Sequence, residues 1–260
     1  MYSEFLDFAI NLAREVGKIQ LSYFRSGNLD ITTKTNVSDI VTRADKECEE
    51  YIVKEIFATY ADHKILGEEG GFRGNEASEY MWVVDPLDGT TNYSQGLPIF
   101  AVSIGLVHKE QTILGVVYAP YLKELFYAVK GGGAYMQCGD NEALDIRVAD
   151  KRSLDCSVIG TGFPYDKGVN ADNNSDNVAR IVPYVRDLRR MGSAAYDLCA
   201  VAAGMLDGYW EMTLNLWDVC AGNLIVQEAG GVIFNYRLDR KISIIAGNGT
   251  IIEEIKRYIQ

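Results

Sequence analysis

The segment WVVDPLDGTTN, Trp82 to Asn92, decides how this chain is read. Trp82, Val83 and Val84 predict the end of a buried strand. Asp85 and Asp88 follow on a turn that contains Pro86, and Gly89, Thr90 and Thr91 predict the opening of a helix. Two carboxylates at a strand end can hold hard cations through oxygen. A helix start offers free backbone N–H groups that suit a phosphate. Metal and phosphate side by side point to metal-assisted phosphoryl transfer to water. Asp, Pro and Gly are also common turn chemistry, and Asp is a good N-cap. The rest of the chain decides between the two readings.

Upstream stands a second acidic pair, Glu68-Glu69, between Ile65-Leu66-Gly67 and Gly70-Gly71. The glycines argue against a helix, since each costs roughly 1 kcal/mol there relative to Ala. The pattern predicts another acidic turn at a strand end. Downstream, Trp217-Asp218 precedes Val219, Cys220, Leu224, Ile225, Val226 and Ala229 at helical spacing, which puts Asp218 at a helix N-terminus.

Taken together, Gly67-Glu68-Glu69, Trp82 to Asn92, Trp217 to Gly222 and Glu228-Ala229-Gly230-Gly231 resemble the motifs of the inositol monophosphatase family of lithium-sensitive, magnesium-dependent sugar phosphatases. Lys34, the run Ser38 to Asp45 and Gly192-Ser193-Ala194-Ala195 also fit, and the resemblance runs from about residue 5 to the C-terminus. It implies an α/β (layered α+β) fold, an α/β/α/β/α five-layer sandwich with the active site between two halves. It also implies two or three Mg²⁺ ions, with Mn²⁺ as a possible substitute. Glu68, Asp85 and the Leu87 carbonyl would hold one ion, and Asp85, Asp88 and Asp218 a second. Thr90 and Asp45 match the residues that position and deprotonate the attacking water, with Glu68 beside them. Gly89 and Thr90 would bind phosphate through N–H groups at the positive end of their helix. Lys34 matches a basic residue beside the metal loop. Glu211, Ser193, Ala194 and Asp88 match substrate contacts. A glycine common in the family two places after the Glu211 position is Thr213 here. A homodimer and lithium sensitivity are further family expectations.

Composition narrows the alternatives. The 260 residues are 48% hydrophobic, enough for a full core in one or two lobes. The net charge of −11 argues against nonspecific nucleic-acid or membrane binding. An acidic protein with an anionic substrate needs bound cations to reverse the local sign. Five cysteines without C-x-x-C spacing predict reduced thiols and a cytoplasmic setting. There is no signal pattern and no apolar run of ~18 residues that would span a membrane. Only His63 and His108 are available to a histidine triad, and both sit in structural or solvated contexts. The glycines at 131–133 lack the Lys-Ser/Thr of a nucleotide loop.

The patterning predicts helices over residues 3–24 and 42–60, then mainly strands to Lys130, with Glu69 to Tyr80 as loop. From Ser157 strands and helices alternate, including helices over 193–205 and 218–229. This divides the chain into an α+β half, 1–150, carrying the main metal and phosphate motifs, and an α/β half, 151–260, carrying Asp218 and substrate contacts. The expected activity is hydrolysis of inositol monophosphate or a related polyol phosphate. Fructose-1,6-bisphosphatase activity is the rival, with Arg189 or Arg190 as candidates for a second phosphate. A role as a protein partner of the transcription machinery, as in some bacterial relatives, is the alternative of another class.

Overall fold

The computed structural model describes residues 2–27, 29–34 and 39–260. Ser38 of the motif run therefore lies outside the described residues. The chain opens with α1 (Ser3–Tyr23), a short antiparallel ribbon of β1 (Thr32–Thr33) and β2 (Ile40–Val41), and α2 (Arg43–Thr59). Then come β3 (Lys64–Gly67), β4 (Gly71–Gly74), β5 (Tyr80–Asp88), α3 (Thr90–Ser94), β6 (Ala101–His108), β7 (Gln111–Ala119), β8 (Glu124–Val129), β9 (Ala134–Cys138) and β10 (Leu144–Asp145). These strands make an eight-stranded sheet in the order β10-β9-β8-β7-β6-β5-β3-β4. All its pairs are antiparallel except β3 with β5.

The remaining elements are β11 (Val158–Thr161), α4 (Ser175–Ile181), β12 (Asp187–Arg189), α5 (Ala194–Ala202), β13 (Gly208–Leu214), α6 (Leu216–Glu228), β14 (Val232–Arg237), β15 (Ile242–Gly247) and α7 (Gly249–Ile255). They contribute a five-stranded sheet, β12-β11-β13-β15-β14, parallel on the β12-β11-β13 side and antiparallel on the other.

The burial pattern explains the layers. One stripe of α1 (Ala9, Leu12, Ala13, Val16) and one of α2 (Cys48, Ile52, Ile56) close over Trp82, Val84, Ile104 and Val116 on one face of the large sheet. The residues of α5 are buried on every side, so that helix lies between layers. With α6 it packs against Val117, Phe126 and Ala128 of the large sheet and Tyr209, Ile244 and Ala246 of the small one. The helix α7 covers the outer face, where Ile251, Ile252 and Ile255 meet Trp210 and Ile245. Each Val, Leu, Ile or Phe among them contributes about 1.5–3 kcal/mol on burial. The result is the expected α/β/α/β/α sandwich.

Local differences from the sequence reading have physical causes. The stretch read as loop after Glu69 contains β4, which pairs with β3 from Lys64↔Gly74 to Gly67↔Gly71. Two glycines hid it from propensity. The edge strands β10 and β12 are only two and three residues long, too short to show alternation. The expected helix over 193–205 ends at Ala202, because Gly204 turns the chain at φ +69°.

Candidate active site

β5 does not end in a plain turn after Val84. It continues to Asp88, with Asp85 opposite Ser103 and Asp88 opposite Ala101, so three steps on β5 match two on β6. Pro86 inside this bulge cannot donate to the ladder, and a bulge re-aims side chains. Asp85 and Asp88 both line one cleft as a result, with Leu87, Gly89 and Thr90. Gly89 stands at φ +95° and leads into α3, which is only five residues long. That short helix supplies open N–H groups but little macrodipole, a correction to the expected positive helix end.

Glu68 also lines the cleft. Lys34 Nζ donates to Glu68 Oε1 at 2.8 Å and to Glu69 Oε1 at 2.5 Å. Burial pulls the Lys34 ammonium down, but the Glu68 and Glu69 carboxylates outweigh it and hold Lys34 charged. Beneath this turn lies the buried Glu49, whose two oxygens accept from Glu69 N–H at 2.7 Å and Gly70 N–H at 2.6 Å. Glu49 was missed from sequence. Its signal was a carboxylate one turn after Asp45, next to the apolar stripe of α2.

Asp45 is fully buried at the third position of α2, in a capping box with Thr42. Its Oδ2 accepts from Thr42 N–H at 2.8 Å and Thr42 Oγ1 at 2.5 Å. Its Oδ1 lies 3.0 Å from Thr90 Oγ1, which is also 3.0 Å from the Leu87 carbonyl oxygen. Burial pushes the Asp45 carboxyl up to about 6, opposed by the Thr42 bonds.

Asp218 is not the N-cap of α6 but its third residue, in a second capping box in which Asn215 N–H donates to Oδ2 at 2.7 Å. Asp88 reaches into the second half of the chain. Its Oδ2 accepts from Ser193 Oγ at 2.7 Å and Ala195 N–H at 2.6 Å, at the start of α5. Burial raises Asp88 to about 6 against these bonds. It also lifts Asp85 and Asp218 well above the carboxylate range, reinforced by Glu68 and Asp88 at Asp85 and by Asp88 at Asp218.

Ser193, Ala194, Glu211, Thr161, Tyr165, Arg190 and Asp197 also line the cleft. Glu211 accepts from Tyr209 Oη and is pushed up to about 7 by burial, with Arg190 opposing. Arg189 instead pairs with Asp187 at 2.6 Å in an exposed position. His63 accepts from Trp82 Nε1 at 3.1 Å and stacks between Tyr60 and Tyr80, while His108 stacks on Tyr80. Neither lines the cleft.

Among the described residues, no three His, Cys, Asp or Glu side chains already stand in metal-ligand geometry. The donor chemistry nonetheless fits a hard divalent cation. Glu68, Asp85, Asp88 and Asp218 converge on one cleft, and the charges of Glu68 and Asp88 add to burial in raising Asp85 and Asp218, a repulsion that a bound cation would relieve. All four are oxygen donors of the kind Mg²⁺ prefers.

The layer order and the acidic cleft fit a phosphatase of layered α/β fold. The profile of the inositol monophosphatase family matches residues 1–260, and the chain belongs to that family. The family is generally metal-dependent. The chain is 41% identical over 260 residues to "Nus factor SuhB" of Pasteurella multocida, covering 98% of this chain and 95% of that one. It is 41% identical over 233 residues to "Inositol-1-monophosphatase" of Synechocystis, covering 88% and 79%. The solved structure of inositol monophosphatase from Anabaena superposes with a TM-score of 0.85 at 36% identity, over 98% of this chain and 95% of that one. No helix among the described residues is long and apolar enough to cross a membrane.

Proposed function

We propose that this chain is a Mg²⁺-dependent phosphomonoesterase acting on inositol monophosphate or a similar polyol phosphate. The reading rests on one observation: four mutually repelling carboxylates line a single cleft, in front of the buried Asp45–Thr90 pair. Glu68, Asp85, the Leu87 carbonyl, Asp88 and Asp218 would hold the cations, which when bound lower the pKa of water and offset charge on the leaving oxygen.

The protein's own groups do the rest. The Thr90 hydroxyl, poised between Asp45 Oδ1 and the Leu87 carbonyl, orients the attacking water. Asp45 Oδ1 receives its proton, and a carboxyl near 6 is largely ionised at neutral pH yet basic enough for that task. The N–H groups of Gly89 and Thr90 take phosphate oxygens. Lys34 holds the Glu68 turn in place, and Ser193 and Ala194 flank the substrate. Glu211 accepts a sugar hydroxyl. The 1–150 half supplies most metal and phosphate contacts and the 151–260 half Asp218 and the polyol contacts, in a cytoplasmic homodimer.

A panel of phosphate esters, including inositol 1-phosphate, fructose 1,6-bisphosphate and an aryl phosphate, assayed with Mg²⁺ and with chelator, tests the reading. Metal-dependent turnover led by the inositol ester is expected. Full activity in chelator would falsify it. The name carried by the Pasteurella multocida relative favours a second, compatible role as a protein-binding factor. Copurification of transcription proteins with the tagged wild-type chain and equally with Asp85→Asn is expected, and their absence from both sinks that role.

A further inference from the structure

Asp197 belongs to a helix with no other charged residue, the nine-residue α5, AAYDLCAVA. It is 1% exposed. Asp45, Glu49, Asp85 and Asp207, the other buried acidic residues, each accept at least one hydrogen bond. Asp197 is the exception: its Oδ1 is sealed from solvent without a partner among the described residues. An unmet buried acceptor costs about 1–3 kcal/mol, and a buried charge costs more. The other oxygen, Oδ2, is neither sealed nor bonded among the described residues, so it is the one that a ligand in the cleft can complete.

Its surroundings say what that is. Asp197 lines the same cleft as Glu211 and Arg190. Its N–H donates to the Ser193 carbonyl at 2.9 Å, so it stands one helical turn beyond the Ser193 that touches Asp88. The charges of Glu211 and Asp88 act on it unfavourably and that of Arg190 favourably. Glycines leave room for both carboxylates of this region. A Cβ at Gly160 would lie 3.3 Å from Asp197 Oδ1, and one at Gly162 would collide with the Glu211 carboxylate at 2.1 Å. Two acidic acceptors with one guanidinium between their fields suit a neutral donor carrying several hydroxyls. A further anion would meet repulsion there.

We infer that Asp197 is a specificity-determining residue that accepts a hydrogen bond from a second hydroxyl of the polyol phosphate, beside the hydroxyl taken by Glu211. The inference rests on the polyol-phosphatase reading above. The experiment compares kcat/KM for inositol 1-phosphate and for p-nitrophenyl phosphate, with Mg²⁺, in wild type, Asp197→Leu and Asp197→Asn, alongside the Tm of each. Loss of the acceptor in Asp197→Leu lowers the inositol-to-aryl ratio by about tenfold to a hundredfold, mainly through KM. Asp197→Asn, whose amide oxygen still accepts, recovers most of that loss. Neither variant has a lower Tm than wild type, because the carboxylate has no partner in the resting protein. Equal losses on both esters, or a lower Tm for both variants, would make Asp197 a structural residue and overturn the inference while leaving the phosphatase reading intact. A wild-type protein that hydrolyses neither ester overturns both.

Discussion

Asp45 and Asp197 are both almost fully buried carboxylates, one from each half of the chain, and they differ in how they are satisfied. Asp45 is bonded on both oxygens, to Thr42 and Thr90. The elements around it are equally well knitted, with Lys34 on Glu68 and Glu49 under the turn that carries Glu68. On the other side, among the described residues, Asp197 has no donor and Glu211 has Tyr209 alone. Under the proposed function, the contrast is a division of labour. The reaction step is common to every phosphate ester, so its groups are locked in advance. Recognition depends on the ligand, so its acceptors are left for the ligand to complete.

The sharpest way to break this comparison is at its metal end. Asp85→Asn should reduce Mg²⁺-dependent turnover by about a thousandfold or more while the protein stays folded, because it removes charge shared with Glu68, Asp88 and Asp218. Steady-state rates with circular dichroism check this, and near-normal activity would remove the carboxylate cluster from the mechanism. Next is Asp45→Asn, isosteric and still able to accept from Thr42. It should lower kcat by about 10²–10⁴-fold on inositol and aryl phosphates alike, with little change in KM or Tm. A loss confined to one ester would move Asp45 from chemistry to recognition. Glu211→Ala should have the opposite signature: about a ten- to hundredfold loss of kcat/KM on inositol 1-phosphate and little on an aryl phosphate. Equal losses would erase the distinction between the two sides.

The smallest expected effect is thermal. Asp45 and Asp88 hold their protons to about 6 in the folded protein, above the ordinary carboxylate value of about 4. The metal-free fold therefore binds more protons than the unfolded chain. Its contribution from these groups is complete below about pH 4 and fades as pH rises through about 6. Divalent cations compete with those protons, so the rise in Tm on adding Mg²⁺ should widen from pH 5 to pH 8, by a few degrees for a domain of this size. A gap that stays constant across that range would place the cation away from these carboxylates.

Much of this could be read from sequence, and the reasons are local. The run WVVDPLDGTTN announces an apolar strand, two acids and a chain reversal within eleven residues, and Gly-Glu-Glu-Gly-Gly announces an acidic turn. The capping boxes were also present as Thr42-x-x-Asp45 and Asn215-x-x-Asp218. What could not be read was partnership across the chain. Asp88 with Ser193 and Glu49 with the Gly70 N–H are tertiary pairings that no spacing rule encodes, and Thr90 with Asp45 was legible only through the family resemblance. Asp197 carried a faint signal, a lone acid in an alanine-rich helix. Its meaning depends on what its oxygens fail to meet, which only packing reveals.

The second capping box has a consequence for amide substitutions. At position 218 one side-chain oxygen is claimed by the Asn215 N–H that opens α6. An asparagine there would have to give its only oxygen to that helix and turn its NH₂ toward the cleft. Asp218→Asn would thus reverse the local polarity, setting a hydrogen-bond donor where the proposed cation would need an electron pair. Asp218→Ala would leave a gap that water can enter. The conservative replacement is therefore the more disruptive one, because the helix decides which end of the amide faces the cleft.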